Sequence, residues 1–266
     1  MIGRGVFFKT LWERRRSLIG WSAGLVFVVL ITVAPYASFR NDPALEELTK
    51  RLPDFVRALT GGETDFLSPE GWLNGRLFAL MLPLLFATFA IGRGADGVAG
   101  EEGRGTLELV LATPISRFRF FLAKLGALAA GLAVVTCVTL VALGVMSHLA
   151  QMDVPLGNLA VAMGLAYLLA FLHGTVALAV GAGVGRRGAA IATAAVVAVG
   201  GYIVDSLAEL WNVAERVRFL SPFAYADANG PLRGELPVLD FLVLAAAIGA
   251  AVYVGATLFE RRDLRI

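Results

Sequence analysis

The chain has 266 residues, of which 58% are hydrophobic and 17% charged, and its mean hydropathy is +0.74; soluble domains average roughly 45–50% apolar and 25% charged. A soluble globular domain is excluded, and the formal net charge of +2 says little until it is sorted by loop. None of the three lysines, Lys9, Lys50 and Lys124, follows a glycine, so no GxxxxGK[ST] phosphate loop exists, and ATP chemistry would have to come from a partner.

In chain order, the first feature is a basic amphipathic stretch. Phe7, Phe8, Leu11 and Trp12 fall on one helical face and Lys9, Arg14 and Arg16 elsewhere, as in an elbow helix lying in a membrane interface. A membrane-crossing helix needs about 20 apolar residues, and the first such run is 17–39. It is too long for a signal peptide, and no small-x-small cleavage site follows it. Gly20 and Gly24 give it a small-xxx-small face, a candidate dimer seam. After Asp42 and Pro43, the spacing of Leu45, Leu48, Leu52, Val56 and Leu59 predicts an interfacial helix. Ser68, Pro69 and Glu70 then read as N-cap, first-position proline and first-turn acid of a second span, 69–91.

The third and fourth spans are 120–146 and 156–184. The third holds Cys137, whose isolation rules out a disulfide framework or CxxC metal site. The fourth holds His173, expected as a neutral imidazole bonded to a backbone carbonyl of a neighbouring helix, and a further glycine pair, Gly181 and Gly185. The fifth span, 189–204, frays into Asp205 and Glu209; the sixth is 238–259. Between them Leu207, Leu210, Trp211, Ala214 and Val217 recur at helical spacing, and with Ser221, Pro222 and Phe223 they mark a candidate external gate.

Six spans place both termini on one side. Fifteen of the 23 basic residues lie on that side, including Arg4, Arg14, Arg104, Arg117 and Arg262, while the first opposite loop is acidic, with Asp42, Glu46, Glu47, Asp54, Glu63 and Asp65. Short cytoplasmic loops retain Lys and Arg, so both termini are expected in the cytoplasm. One membrane domain, 1–266, accounts for the chain.

The most informative segment is the loop 100–117, GEEGRGTLELVLATPISR. Gly103 and Gly105 permit a tight approach and Thr106 can cap a short helix whose Leu107, Val110 and Leu111 form one apolar face; Thr113 and Pro114 stop it. Such a short helix is marginal alone in water, so its ridge must rest on its own bundle or on a partner. Glu101, Glu102 and Glu108 add charge-directed recognition.

This segment resembles the signature of ABC-2-type transporter permeases, E-x-x-x-G-T-L-E-x-L-L-x-x-P-[IV]-S-R between the second and third spans. Glu101, Gly105, Thr106, Leu107, Glu108, Leu111, Pro114, Ile115, Ser116 and Arg117 match, and Val110 replaces the first paired leucine. Arg16 to Trp21, Leu220 to Phe223 and Phe259 to Leu264 also look like this family. The resemblance implies an all-α, type V exporter-like permease that dimerises with a second copy or a sister permease. It further implies that a separate ATPase subunit, carrying the ATP and magnesium, engages the loop as a coupling helix. The fold class expected is therefore a six-span helical membrane protein in a bacterial plasma membrane, binding no nucleic acid and holding no cofactor of its own. An apolar or amphiphilic cargo such as a drug, antibiotic or lipid suits spans with so few polar groups better than a sugar polymer. A force-transmitting subunit acting on an external partner is the alternative. Inverted-repeat secondary transport needs midplane ionisable groups, of which His173 is nearly the sole example. A membrane hydrolase lacks any Ser-His-Asp order or HExxH motif.

Overall fold

The computed structural model describes residues 15–39, 67–107, 115–208 and 212–262, the side chains of 212–214 apart. The expected elbow at Phe7 to Trp12 and outer helix at Leu45 to Leu59 lie outside the described residues. All regular structure within them is helical, and six helices are long and apolar enough to span a membrane.

The first span is α1 (Arg15–Val33) and α2 (Tyr36–Phe39), broken around Pro35, which has no N–H to continue the ladder. The second is composite: α3 (Pro69–Leu73), a π-helical turn (Asn74–Phe78) and α4 (Met81–Gly97). Ser68 caps α3 as its sequence suggests, its hydroxyl accepting from the Gly71 N–H at 3.0 Å. A short α5 (Ala99–Gly103) follows. The third, fourth and fifth spans are α6 (Arg117–Leu149), α7 (Leu156–Val184) and α8 (Arg187–Ala208). Next come α9 (Asn212–Val217), two 3-10 turns (Arg218–Leu220 and Pro222–Tyr225) and α10 (Asn229–Leu232). The sixth span is α11 (Val238–Arg261).

Several helices outrun the expected spans because charged residues at their ends have partners. The second span continues past Ile91 to Gly97, since Arg93 lies over the Phe89 ring at 5.3 Å and Asp96 is ion-paired with Arg187 at the head of α8. The third begins at Arg117 rather than Phe120, capped by the Ser116 hydroxyl, which accepts from the Arg119 N–H.

Helix α7 is the centre of the bundle. In its most apolar window 61% of residues are buried within the chain, against 17% for the first and fifth spans, so those two present most of their surface to lipid or another subunit. Its closest neighbour is α4, and glycine makes the crossing possible. A Cβ at Gly94 would stand 2.0 Å from the Gly174 carbonyl oxygen, and one at Gly174 would stand 2.9 Å from that of Ala90. In a membrane, where lipid is as apolar as leucine, close packing of this kind replaces the hydrophobic drive between helices.

Two sequence expectations change here. His173 is fully buried and its Nδ1 lies 2.7 Å from the Leu169 carbonyl, one turn back on α7 itself rather than on a neighbouring helix. Gly181 and Gly185 serve the monomer's interior: Gly181 faces Ala99 and Ala190, and Gly185 ends α7 in the left-handed region at φ 72°.

Candidate functional site

The ends of α4, α6, α7, α8 and α11 nearest the chain termini converge on the flanks of the loop 100–117. Helix α5 presents two adjacent glutamates, and each is tied to a different span. Glu101 Oε1 accepts from Lys124 Nζ on α6 at 2.7 Å, and its Oε2 accepts from the Thr106 hydroxyl at 2.6 Å. Arg104 stands farther off, at 3.8 Å. Burial by itself would raise the Glu101 carboxyl, but the hydrogen bonds from Lys124 and Thr106, with the charges of Lys124 and Arg104, outweigh it and hold the group below its ordinary value of 4.5. Lys124 is itself buried, so the pair satisfies a cation that the bundle could not hold alone.

Glu102 is ion-paired with Arg262, just beyond the end of α11. Arg262 also donates to the Ala182 carbonyl at 3.1 Å, so one guanidinium joins α5, α7 and the sixth span. It occupies the space left by the missing side chain of Gly185, where a Cβ would meet its Nη2 at 2.0 Å.

The loop's return is fastened equally firmly. Arg117 Nη1 donates to the carbonyls of Phe259, Glu260 and Arg262 at 3.1, 3.3 and 2.6 Å, closing the orphan C-terminal carbonyls of α11 with a charge of the sign its dipole favours. Leu107 is 2% exposed and packs among Val98, Phe120, Phe121, Leu178 and Phe259. The sequence leaves the ridge resting either on its own bundle or on a partner, and the Leu107 side chain points into its own bundle. Gly105 takes a positive φ of 68°, letting the Thr106 N–H turn back onto the Glu101 carbonyl at 3.0 Å. The Thr106 hydroxyl is likewise spent on Glu101. Gly103 closes α5. Glu108, Val110, Leu111 and Pro114 lie outside the described residues.

A family model described as ABC-2 family transporter protein matches residues 6–264. The chain belongs to this family. It is therefore a multi-pass ABC-2 membrane subunit, and the motif flanks can be read as that family's loop between the second and third spans. A search of curated proteins gave no match.

At the opposite end of the ABC-2 bundle, the candidate gate splits. Leu210 and Trp211 are outside the described residues, and Leu207 is exposed at the end of α8. Ser221, Pro222 and Phe223 turn inward. The Ser221 hydroxyl donates to the Gly201 carbonyl on α8 at 2.8 Å, and the Phe223 ring lies 5.7 Å from His173 and 5.6 Å from Tyr202. His173 is 17 residues into a 29-residue helix, so this segment re-enters to about mid-bundle before climbing to α10, where the Leu232 carbonyl accepts from Asn158 at 3.0 Å. An Asp205–Arg218 pair at 2.8 Å braces its entry. Among the described residues, nothing lies within 4 Å of a Cβ at Gly20 or Gly24. Among the described residues no cluster of metal-ligating side chains occurs.

The ties of Lys124, Arg262 and Asp96 escape motif reading. Lys124 gave a signal, as a cation several residues inside an apolar run requires an acid, but the sequence alone does not say which one.

Proposed function

We propose that this chain is the permease of an ATP-driven exporter, in which a separate ATPase subunit carrying ATP and magnesium grips residues 108–114 and moves a hydrophobic or amphiphilic compound out of the cytoplasm. The observation that carries this reading is the fastening of both loop flanks. Glu101 is tied to α6, Glu102 to Arg262, Leu107 to the cluster of α6, α7 and α11, and Arg117 to the end of α11. A force applied to the intervening seven residues is delivered to the second, third and sixth spans together. Movement of those spans loosens the packing beneath Phe223, which is the exit gate in this scheme. Two permease copies, or one copy and a sister chain, enclose the path, with Gly20 and Gly24 on the shared seam and both termini in the cytoplasm of a bacterial cell.

The test is Leu111→Asp. A carboxylate driven into a partner contact costs several kcal/mol, so co-purification with the ATPase and export should fall together while membrane insertion stays near normal. Intact export with a full complement of bound ATPase would remove the basis of the proposal.

A further inference from the structure

Arg76 sits in the π-helical turn of the second span, about 10 Å along the helix from its start at Pro69. Its guanidinium carbon lies 3.4 Å from the centroid of the Trp72 ring. The ring is held from several directions: Nε1 donates to the Thr32 carbonyl at 2.9 Å, Tyr36 meets it edge-on at 5.4 Å, and Phe39 stacks at 6.1 Å. Trp72 is thus a fixed platform, 3% exposed.

What surrounds the cation is apolar. Arg76 opens on a groove of about 490 Å³ whose walls include Ile31, Pro35, Phe39 and Met81, within the roughly 300–1,000 Å³ of small-ligand pockets. Ile31, Phe39 and Met81 are 55, 41 and 42% exposed, so the groove opens on the outer surface of the bundle, along helices long and apolar enough to span a membrane. Among the described residues no carboxylate pairs with Arg76. An aromatic face attracts a guanidinium but accepts none of its five in-plane N–H donors. A charge at this depth is costly unless it finds an anion or water.

We propose that Arg76 and Trp72 form a site for the anionic headgroup of a lipid in the leaflet opposite both termini. The planar guanidinium matches a phosphate diester with two parallel hydrogen bonds. The tryptophan fixes the guanidinium plane, and the acyl chains lie along Ile31, Pro35, Phe39 and Met81. The charge chooses the headgroup and the groove requires the chains, so a free phosphate lacks half of the recognition. The site is separate from the loop and the gate, and its assignment does not depend on which compound is transported.

The test uses the full chain in lipid nanodiscs, with Trp12, Trp21 and Trp211 replaced by Phe so that Trp72 alone reports. Brominated phosphatidylglycerol should quench its fluorescence at about a tenfold lower mole fraction than brominated phosphatidylcholine, the size of one charge-assisted hydrogen bond. Arg76→Gln should bring the two lipids together, and Arg76→Lys should keep part of the preference. Inorganic phosphate at 10 mM should not compete. Native mass spectrometry of the chain with all its tryptophans gives a second reading: one tightly held phosphatidylglycerol per chain, lost in Arg76→Gln. Equal quenching by both lipids, a preference surviving Arg76→Gln, or displacement by free phosphate would each overturn the lipid site.

Discussion

Replacing Lys124 by Met leaves Glu101 facing the bundle with only the Thr106 hydroxyl and a distant Arg104. The lysine side chain is 6% exposed and the glutamate 17%, with a contact of 2.7 Å between them. Removing one partner of a fully buried pair costs about 3–5 kcal/mol, and partial exposure of Glu101 brings this to about 2–3 kcal/mol here. Glu101→Gln instead removes the charge that pairs with the lysine and should cost a similar amount. The double variant removes both charges, so a double-mutant cycle in detergent unfolding should give a coupling of about 2 kcal/mol. Acidity supplies an independent check. The carboxyl is held below 4.5 in the folded chain, so its contribution is complete above that value and is lost as pH falls through the lowered folded value. The wild-type advantage over the double variant should be flat through neutral pH and shrink only in acid. Additive single variants, with coupling under about 0.5 kcal/mol, would refute the idea that this pair fastens the loop. So would an advantage that fades near pH 6.

The remaining expectations concern packing and topology. Gly94→Ala should cost at least about 3 kcal/mol in detergent unfolding and cut folded yield, because backbone stands 2.0 Å from the new carbon; Gly20→Ala, with no described neighbour within 4 Å, should be neutral for monomer stability in the same assay. Gly185→Ala should lower the melting temperature by pushing Arg262 off Glu102 as well as straining a φ of 72°, and a Gly185→Ala/Arg262→Ala chain should not lose the two effects in sum. A cysteine at Glu235, in a background lacking Cys137, should react with an impermeant maleimide on intact cells while one at Arg186 should not; the reverse pattern would invert the proposed orientation.

The six spans were legible because their signal is length and hydropathy, which the bilayer imposes directly. The ends were less so: Asp96 and Arg93 look like loop residues until their partners, ninety residues away or one turn back, are in view. The motif drew attention to the loop 100–117, but for Leu107 its periodicity could not distinguish a ridge turned outward from one turned inward. A residue on one face of a short helix carries the same spacing whether that face meets a partner or its own bundle. The gate shows a related blindness. The sequence marks Ser221, Pro222 and Phe223 only as part of a candidate external gate; the Ser221 hydroxyl accepts from the Phe223 N–H at 3.1 Å, but nothing local says that this turn is tucked in beside His173. Gly94 and Gly174 were missed for a similar reason, since helix crossing points depend on pairs of residues far apart in sequence.

The salt link between Glu102 and Arg262 joins positions 160 residues apart, and this sets a timetable for biosynthesis. At about 5–20 residues per second, a ribosome takes roughly 8 to 32 seconds to travel from one to the other. During that interval the loop has already emerged, while the carbonyls that Arg117 will cap have not yet been made. Lys124 arrives within a few seconds and fastens the near flank alone. A nascent permease therefore presents a loop anchored at one end, and the second anchor closes only when the last helix docks. Completion of the sixth span is thus the event that fastens the loop's second flank, and under the proposed coupling an ATPase subunit that gripped the loop earlier would pull on one helix instead of three.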